Sequence, residues 1–149
     1  MKVNQFNLTM EAMPENESFA RTVVAAFCLE AKPTLEEISD VKTAVSEAVT
    51  NAIVHAYENN GGKIKIKCTL KKNKLDVEIT DFGKGIEDIE KAKEPFFTTR
   101  PEEERSGMGF TVMESFMDNL KITSESQKGT KVKMTKTFGT ISARNEQED

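Results

Sequence analysis

Several residue types that mark particular classes of protein are scarce in this sequence of 149 residues. It has no tryptophan, one tyrosine, one histidine and two cysteines, Cys28 and Cys68. The cysteines lie far apart in the sequence and have no ligand-like neighbours, which argues against a zinc site or a disulfide framework. We therefore interpret them as small buried hydrophobic residues of a protein in a reducing compartment.

Charge and hydropathy exclude further classes of protein. The 21 basic residues are outnumbered by 25 acidic ones, whereas a nucleic-acid-binding surface normally has a basic excess. No segment approaches the roughly 20 apolar residues that cross a bilayer, and residues 1–13 lack the apolar core of a signal peptide. We expect a cytoplasmic protein without direct membrane or nucleic-acid contacts. It should have one domain over residues 1–138 and a disordered polar tail over residues 139–149.

The first 30 residues show the periods of a strand and then a helix. Residues 6–10 alternate between apolar and polar, which predicts a strand with one buried face. A helix is predicted to begin near Pro14. Its apolar face is expected to comprise Phe19, Val23, Ala26 and Phe27, and its exposed face Glu17, Arg21 and Val24.

A longer helix is predicted next. Thr34 is its expected N-cap, and Glu37 is three residues later, as in a capping box. The helix should continue to about Tyr57, before the Gly61-Gly62 stop signal. Its apolar positions are Leu35, Ile38, Val41, Val45, Ala48, Val49 and Ala52.

The apolar pattern of the second half of the chain predicts two hairpin strands, a loop, a helix and two more strands. Counting by two along the second hairpin strand, from Leu75, brings Asp81 to the buried face, where a carboxylate needs a partner. Residues 94–109 have no periodicity, which is typical of a functional loop, and residues 95–106 are the candidate lid. The helix should bury Phe110, Met113, Phe116 and Met117, and the strands should span Leu120–Ser124 and Thr130–Thr137. Together these elements predict an α+β two-layer sandwich, with helices on one face of a mixed, mainly antiparallel sheet.

Polar residues interrupt the apolar pattern of the long helix. Glu47, Asn51 and His55 recur every four residues, so they share one helix face. An amide oxygen such as that of Asn51 is a hard ligand suited to Mg²⁺ together with substrate phosphates. Glu47, one turn away, is then a candidate general base. We interpret His55, the only histidine, as a structural residue.

Three further features are typical of a nucleotide site. A buried carboxylate at Asp81 and an inward hydroxyl at Thr130 suit the exocyclic amine of adenine. Glycines before a helix, as at Gly107 and Gly109, let backbone N–H groups approach phosphate oxygens.

Four motifs together resemble the GHKL family of ATP-binding domains, which includes gyrase, Hsp90, histidine kinases and MutL. They are EAVTNAIVHAY at 47–57, DFGKGI at 81–86, GMGF at 107–110 and GT at 129–130. The resemblance implies the GHKL (Bergerat) fold, bound ATP and Mg²⁺, catalysis by Glu47 and a metal ligand at Asn51. It implies nucleotide contacts from Asn51, Asp81, Gly83, Gly85, Thr98, Thr99, Arg105, Ser106, Gly107, Met108, Gly109 and Thr130.

The segments ENESFAR, SEAVTNAIVHAY and FFTTRPEEERSGMGFTVME resemble, within that family, the anti-sigma serine kinases of sporulation. This resemblance implies a homodimeric anti-sigma factor that sequesters a sigma-F-like factor and phosphorylates a serine of an anti-sigma-factor antagonist. It also implies that Arg21 belongs to the partner-binding surface. Three alternatives remain open: a stress-response kinase of the same family, an ATPase in which Glu47 activates water, and a nucleotide-regulated binding module without kinase activity.

Overall fold

Five strands form one sheet in the computed structural model, which describes residues 2–94 and 109–139. The strand order is β1-β2-β3-β5-β4. The strands are β1 (Val3–Glu11), β2 (Lys63–Lys71), β3 (Lys74–Asp81), β4 (Asn119–Glu125) and β5 (Gly129–Thr137). The helices are α1 (Glu15–Cys28), α2 (Leu35–Asn51), α3 (Ile89–Ala92) and α4 (Gly109–Phe116). The predicted α+β fold is therefore confirmed.

The alternation of the strands decides which face of the sheet is buried. Inward residues of β2, β3 and β5 are almost completely buried, among them Ile64, Val77 and Met134. All four strand pairings are antiparallel. The sheet of the described residues is therefore entirely antiparallel, whereas the sequence predicted a mixed, mainly antiparallel sheet. Asp81 pairs with Ile64 on one side and with Thr130 on the other, which confirms that its side chain is on the buried face.

Helix α2 begins as the sequence predicts. The Thr34 hydroxyl accepts from the backbone N–H of Glu37 at 3.1 Å, and the Glu37 carboxylate accepts from the N–H of Thr34 at 2.8 Å. This capping box satisfies two N–H groups that have no partner inside the helix. Leu35, in contrast, is exposed, because the first helical turn extends beyond the core.

The buried face of α1 differs from the prediction. Ala20, Val24 and Cys28 are completely buried, whereas Phe19 is 47% exposed. The small side chains at four-residue spacing let α1 pack closely against α2, with which it shares many contacts. Val24 was therefore wrongly predicted to be exposed. Phe27, at the edge of the interface, packs edge-on against Phe6 of β1.

Helix α4 is held at its C-terminal end by a buried lysine. The Lys136 ammonium, on the inward face of β5, donates to the Phe116 carbonyl at 2.7 Å and lies 3.5 Å from the Asp40 carboxylate of α2. Phe116 is partly exposed, contrary to the prediction, while Phe110 and Met113 are buried. These contacts hold α4 against α2. No helix in residues 2–94 and 109–139 combines the length and apolar character needed to cross a membrane.

Candidate functional site

A cavity of about 520 Å³ opens where the end of α2, the ends of β3 and β5, and the start of α4 meet. Asn51 and His55 line it from the helix side, and Asp81 and Thr130 line it from the sheet. The segment between β3 and α3 adds Lys84, Gly85, Ile86, Glu87 and Asp88 to the wall. Lys91 of α3, Phe110 of α4 and Gln127 of the β4–β5 turn also line the cavity. The cavity therefore has apolar, acidic and amide-bearing surfaces in one concave space, as small-molecule sites commonly do.

Gly109 lets the start of α4 approach the polar stripe of α2. A β-carbon at position 109 would lie 3.1 Å from Asn51 Nδ2, 3.2 Å from Asn51 Oδ1 and 3.4 Å from Glu47 Oε2. The predicted convergence of Glu47 and Asn51 with a glycine at a helix start is thus present. Since the first N–H groups of a helix have no internal partners, this end of the cavity suits an anion.

The polar stripe ends in a π-helical turn over Ala52–Ala56. The N–H of Tyr57 donates to the carbonyl of Ala52, five residues earlier, at 3.0 Å, whereas an α-helical bond spans four residues. The carbonyl of Ala56 accepts from the N–H of Lys84 at 3.1 Å. A β-carbon on Gly83 would lie 2.4 Å from that carbonyl oxygen, so only glycine fits without displacing the loop.

Gly85 and Gly129 are required by backbone conformation as well as by space. Their φ angles are +78° and +124°, which side-chain-bearing residues rarely adopt. A β-carbon on Gly85 would lie 2.3 Å from the Glu125 carbonyl oxygen, and one on Gly129 would lie 2.2 Å from the Asp81 carbonyl oxygen. Each glycine therefore has a packing role, whereas nucleotide contacts by Gly83 and Gly85 stay a prediction.

Asp81 is an acidic residue in an unfavourable environment for a charge. The residue is 7% exposed, and its carboxylate accepts a hydrogen bond from the N–H of Gly83 at 3.0 Å. Burial raises the pKa of Asp81 above its ordinary value, and hydrogen bonds from the backbone of Gly83 and Thr130 oppose part of that rise. A donor group in the cavity would stabilise the ionised form.

Two residues near Asp81 were missed by the sequence interpretation. The Tyr57 hydroxyl accepts from the N–H of Phe82 at 2.7 Å and donates to the carbonyl of Lys63, which joins the end of β3 to the start of β2. Ser124 contacts Thr130 through its hydroxyl at 2.8 Å. The alternation of β4, in which residues 120, 122 and 124 are half-buried, is the signal that would have revealed Ser124.

The remaining predicted residues are not all at the cavity. His55 lines it, and its structural role stays a prediction. Arg21 lies on α1, where its guanidinium contacts both oxygens of Glu17 at 2.9 and 3.2 Å. Part of the predicted site lies outside the described residues, namely Thr98, Thr99, Arg105, Ser106, Gly107 and Met108. The rest of the proposed lid and the predicted tail from residue 140 onward also lie outside them.

Replacing Asp81 with asparagine should stabilise the nucleotide-free protein at neutral pH. Folding raises the pKa of Asp81, so the folded state binds its proton more tightly than the unfolded state. Stability is therefore lost as the pH rises from the ordinary carboxyl pKa through the raised one. Asp81→Asn removes this cost and keeps an oxygen that accepts from Gly83.

Thermal melting across the acid-to-neutral range tests this expectation. The gain from Asp81→Asn should be present at neutral pH and disappear in acid, where Asp81 of the wild type is protonated. Glu78→Gln, on the other face of the same strand, controls for the loss of one negative charge. A gain that is equal at all pH values would contradict the assigned cause.

The fold and the cavity are those of a nucleotide-binding domain, and the chain belongs to the histidine kinase-like ATPase domain family, whose model matches residues 10–136. Membership in this family implies an ATP site. Buried Asp81 and the close approach of Gly109 to Asn51 border the same cavity.

Two curated relatives cover nearly the whole chain. The anti-sigma F factor of Thermoanaerobacter sp. (strain X514) is 60% identical over 136 residues, which are 91% of this chain and 95% of that protein. The anti-sigma F factor of Clostridium acetobutylicum is 60% identical over 141 residues, which are 95% of this chain and 99% of that protein.

A solved structure has the same fold. It contains the RsbU and RsbW domains of Rv1364c from Mycobacterium tuberculosis, and it matches 91% of this chain with a TM-score of 0.65 at 17% identity. This chain spans 32% of the length of that one. At this level of identity the likeness supports the fold alone.

Proposed function

We propose that this protein is an anti-sigma factor that sequesters a sigma-F-like sporulation factor. It also uses Mg-ATP to phosphorylate a serine of an anti-sigma-factor antagonist, and this phosphorylation inactivates the antagonist. Relatives named anti-sigma F factor, 60% identical over nearly the full chain, support the choice of partner. The proposal includes a homodimer in the cytoplasm and a kinase domain that covers residues 1–138.

One observation carries the kinase proposal. Glu47 Oε2 and Asn51 Oδ1 are both within contact distance of a β-carbon position at Gly109, the first residue of α4. A carboxylate, an amide oxygen and a helix N-terminus therefore converge where Asn51 and Gly109 line the cavity. These are the groups needed to accept a proton, hold a hard cation and bind a phosphate.

Each residue then has a distinct role in phosphate transfer. Asp81 accepts a hydrogen bond from the exocyclic amine of adenine, and Asn51 would hold Mg²⁺ beside the phosphates. The metal would neutralise the phosphate charge, and phosphoryl transfer depends largely on such electrostatic stabilisation. Glu47 accepts the proton of the antagonist's serine hydroxyl as the serine oxygen bonds to the γ-phosphorus and ADP leaves.

Transfer of the terminal phosphate of labelled ATP to a partner protein tests the proposal. The chain is incubated with Mg²⁺, ATP labelled in the γ-phosphate and the anti-sigma-factor antagonist encoded in the same genome. Label on an antagonist serine supports the kinase proposal. Release of free phosphate without antagonist would indicate a plain ATPase, and ATP binding without either product would indicate a binding module. Labelling of a stress-response antagonist instead would favour the stress-response kinase.

Arg21→Ala should weaken partner binding and leave nucleotide binding unchanged. Arg21 lies on α1, away from the cavity-lining residues, and its side chain is 38% exposed beside Glu17. Arginine is enriched among the few interface residues that contribute about 2 kcal/mol or more. If Arg21 is one of them, sigma and antagonist affinity should fall roughly 30-fold.

Binding of the sigma factor, the antagonist and ATP should be measured for the same variant by calorimetry. Lys121→Ala, which removes an exposed positive charge from β4, is the matched control and should bind both partners normally. Wild-type affinity of Arg21→Ala for both proteins would remove Arg21 from the partner surface.

A further inference from the structure

The Ser124 hydroxyl is at the centre of a small hydrogen-bond network behind the cavity wall. It accepts from the N–H of Ile86 at 2.7 Å and donates to the carbonyl of Gly129 at 3.1 Å. It also contacts the Thr130 hydroxyl at 2.8 Å. Ser124 thereby connects the glycine loop after β3 with the first residues of β5.

Counting hydrogen atoms limits the directions of these bonds. A serine hydroxyl has one hydrogen to donate and two lone pairs to accept with. If that hydrogen is donated to the Gly129 carbonyl, the contact between Ser124 and Thr130 must use the hydrogen of Thr130. The Thr130 oxygen then has only lone pairs left for the cavity that it lines.

We propose that Ser124 determines base specificity by holding the Thr130 hydroxyl as a hydrogen-bond acceptor toward the cavity. This inference rests on the proposed function, in which the Asp81 end of the cavity holds a purine. Asp81 pairs with Thr130 across neighbouring strands, and both line the cavity. An ionised carboxylate is also acceptor-only, so this wall presents acceptors from two adjacent side chains.

A wall of acceptors selects one class of purine. The 6-amino group of adenine has two N–H donors, one for each of Asp81 and Thr130. A 6-oxo purine has a carbonyl oxygen at the same position, which would face acceptors and leave buried polar groups without partners. Ser124 is a positioning residue in this scheme, since it acts on the base through Thr130.

Ser124→Ala should reduce the preference of the protein for ATP over ITP. Without Ser124 as its acceptor, the Thr130 hydroxyl is free to rotate and donate to a 6-oxo group. The wild type should favour ATP by about tenfold or more, and the variant should lose about three- to tenfold of that preference, the scale of one hydrogen bond. ITP is the appropriate probe because it differs from ATP only in the 6-position and the linked N1 proton.

Titration calorimetry with ATP and ITP gives the ratio of affinities for each variant. Ser124→Thr retains a hydroxyl and should keep most of the preference for ATP. Ser126→Ala removes an exposed serine two residues away and should keep all of it. An unchanged ratio in Ser124→Ala would overturn the inference.

Thr130→Val provides an independent test, which also applies if Ser124→Ala does not fold. If the Thr130 hydroxyl accepts from the base, its removal weakens ATP binding more than ITP binding, and the ratio falls. If it donates to the base, the ratio rises and the inference is wrong. A wild-type protein that binds neither nucleotide would overturn the proposed function as well. A wild type that prefers ATP, with an unchanged ratio in both variants, would overturn the roles of Ser124 and Thr130 and leave the proposed function standing.

Discussion

Glu47→Ala is expected to slow phosphate transfer to the antagonist's serine by roughly 10²–10⁴-fold, the range typical of general acid–base catalysis. ATP affinity and sigma binding should remain close to those of the wild type. Glu47 Oε2 lies near the start of α4, where phosphates are proposed to bind, but Glu47 is not among the residues that line the cavity. We therefore propose that its carboxylate acts at the reacting end of the nucleotide and not at the base.

Single-turnover transfer rates, sigma affinity and thermal melting should be measured together for this variant. Glu47→Gln keeps the size of the side chain but not its basicity, and it should be similarly slow. Glu36→Ala, exposed in the first turn of the same helix, is the control for loss of a carboxylate from α2 and should transfer at the wild-type rate. If Glu47→Ala transfers phosphate at the wild-type rate, Glu47 is not the base. If transfer, sigma binding and melting temperature all fall together, the residue has a structural role.

Asn51→Ala should abolish the strengthening of ATP binding by Mg²⁺ and leave the fold intact. The Asn51 side chain lines the cavity, and its Oδ1 is 3.2 Å from the β-carbon position of Gly109, so it lies where α4 begins. Mg²⁺ binds through few protein ligands together with phosphate oxygens, so loss of one protein ligand has a large effect. We expect at least a tenfold to hundredfold loss of affinity, as in other sites where metal binding is disturbed.

Titrations of ATP with Mg²⁺ and with a chelator separate this role from a general loss of affinity. The wild type should bind more tightly with Mg²⁺, and Asn51→Ala should bind equally weakly in both conditions. Asn60→Ala, in the exposed turn after the π-helical segment, is the matched control. Unchanged affinity of Asn51→Ala in the presence of Mg²⁺ would remove Asn51 from the metal ligands.

Much of this architecture follows from local patterns. Alternation along β3 puts Asp81 on the buried face, because successive side chains of a strand point to opposite sides. The capping box at Thr34 and Glu37 needs only residues three apart in the sequence. The four-residue spacing of Glu47 and Asn51 likewise puts both on one side of α2, whatever the rest of the chain does.

Other features depend on contacts between distant segments, and the sequence interpretation was wrong or silent there. Helix α1 has two apolar stripes, either of which could face the core. Close packing against α2 favours the stripe of Ala20, Val24 and Cys28 over the one that contains the larger Phe19.

The π-helical turn is a further example. Its Ala56 carbonyl accepts from Lys84, a residue beyond two intervening strands, so the local sequence does not reveal it.

The sequence by itself determined which residues have the chemistry of the site: a carboxylate and an amide on one helix face, a buried aspartate and glycines before a helix. Only the tertiary structure decided how their hydrogen bonds are arranged. Ser124 contacts Thr130 on the neighbouring strand, and Tyr57 contacts Phe82, which directly follows β3. The direction of such a bond depends on every donor and acceptor around it, and these groups become neighbours only when the sheet forms.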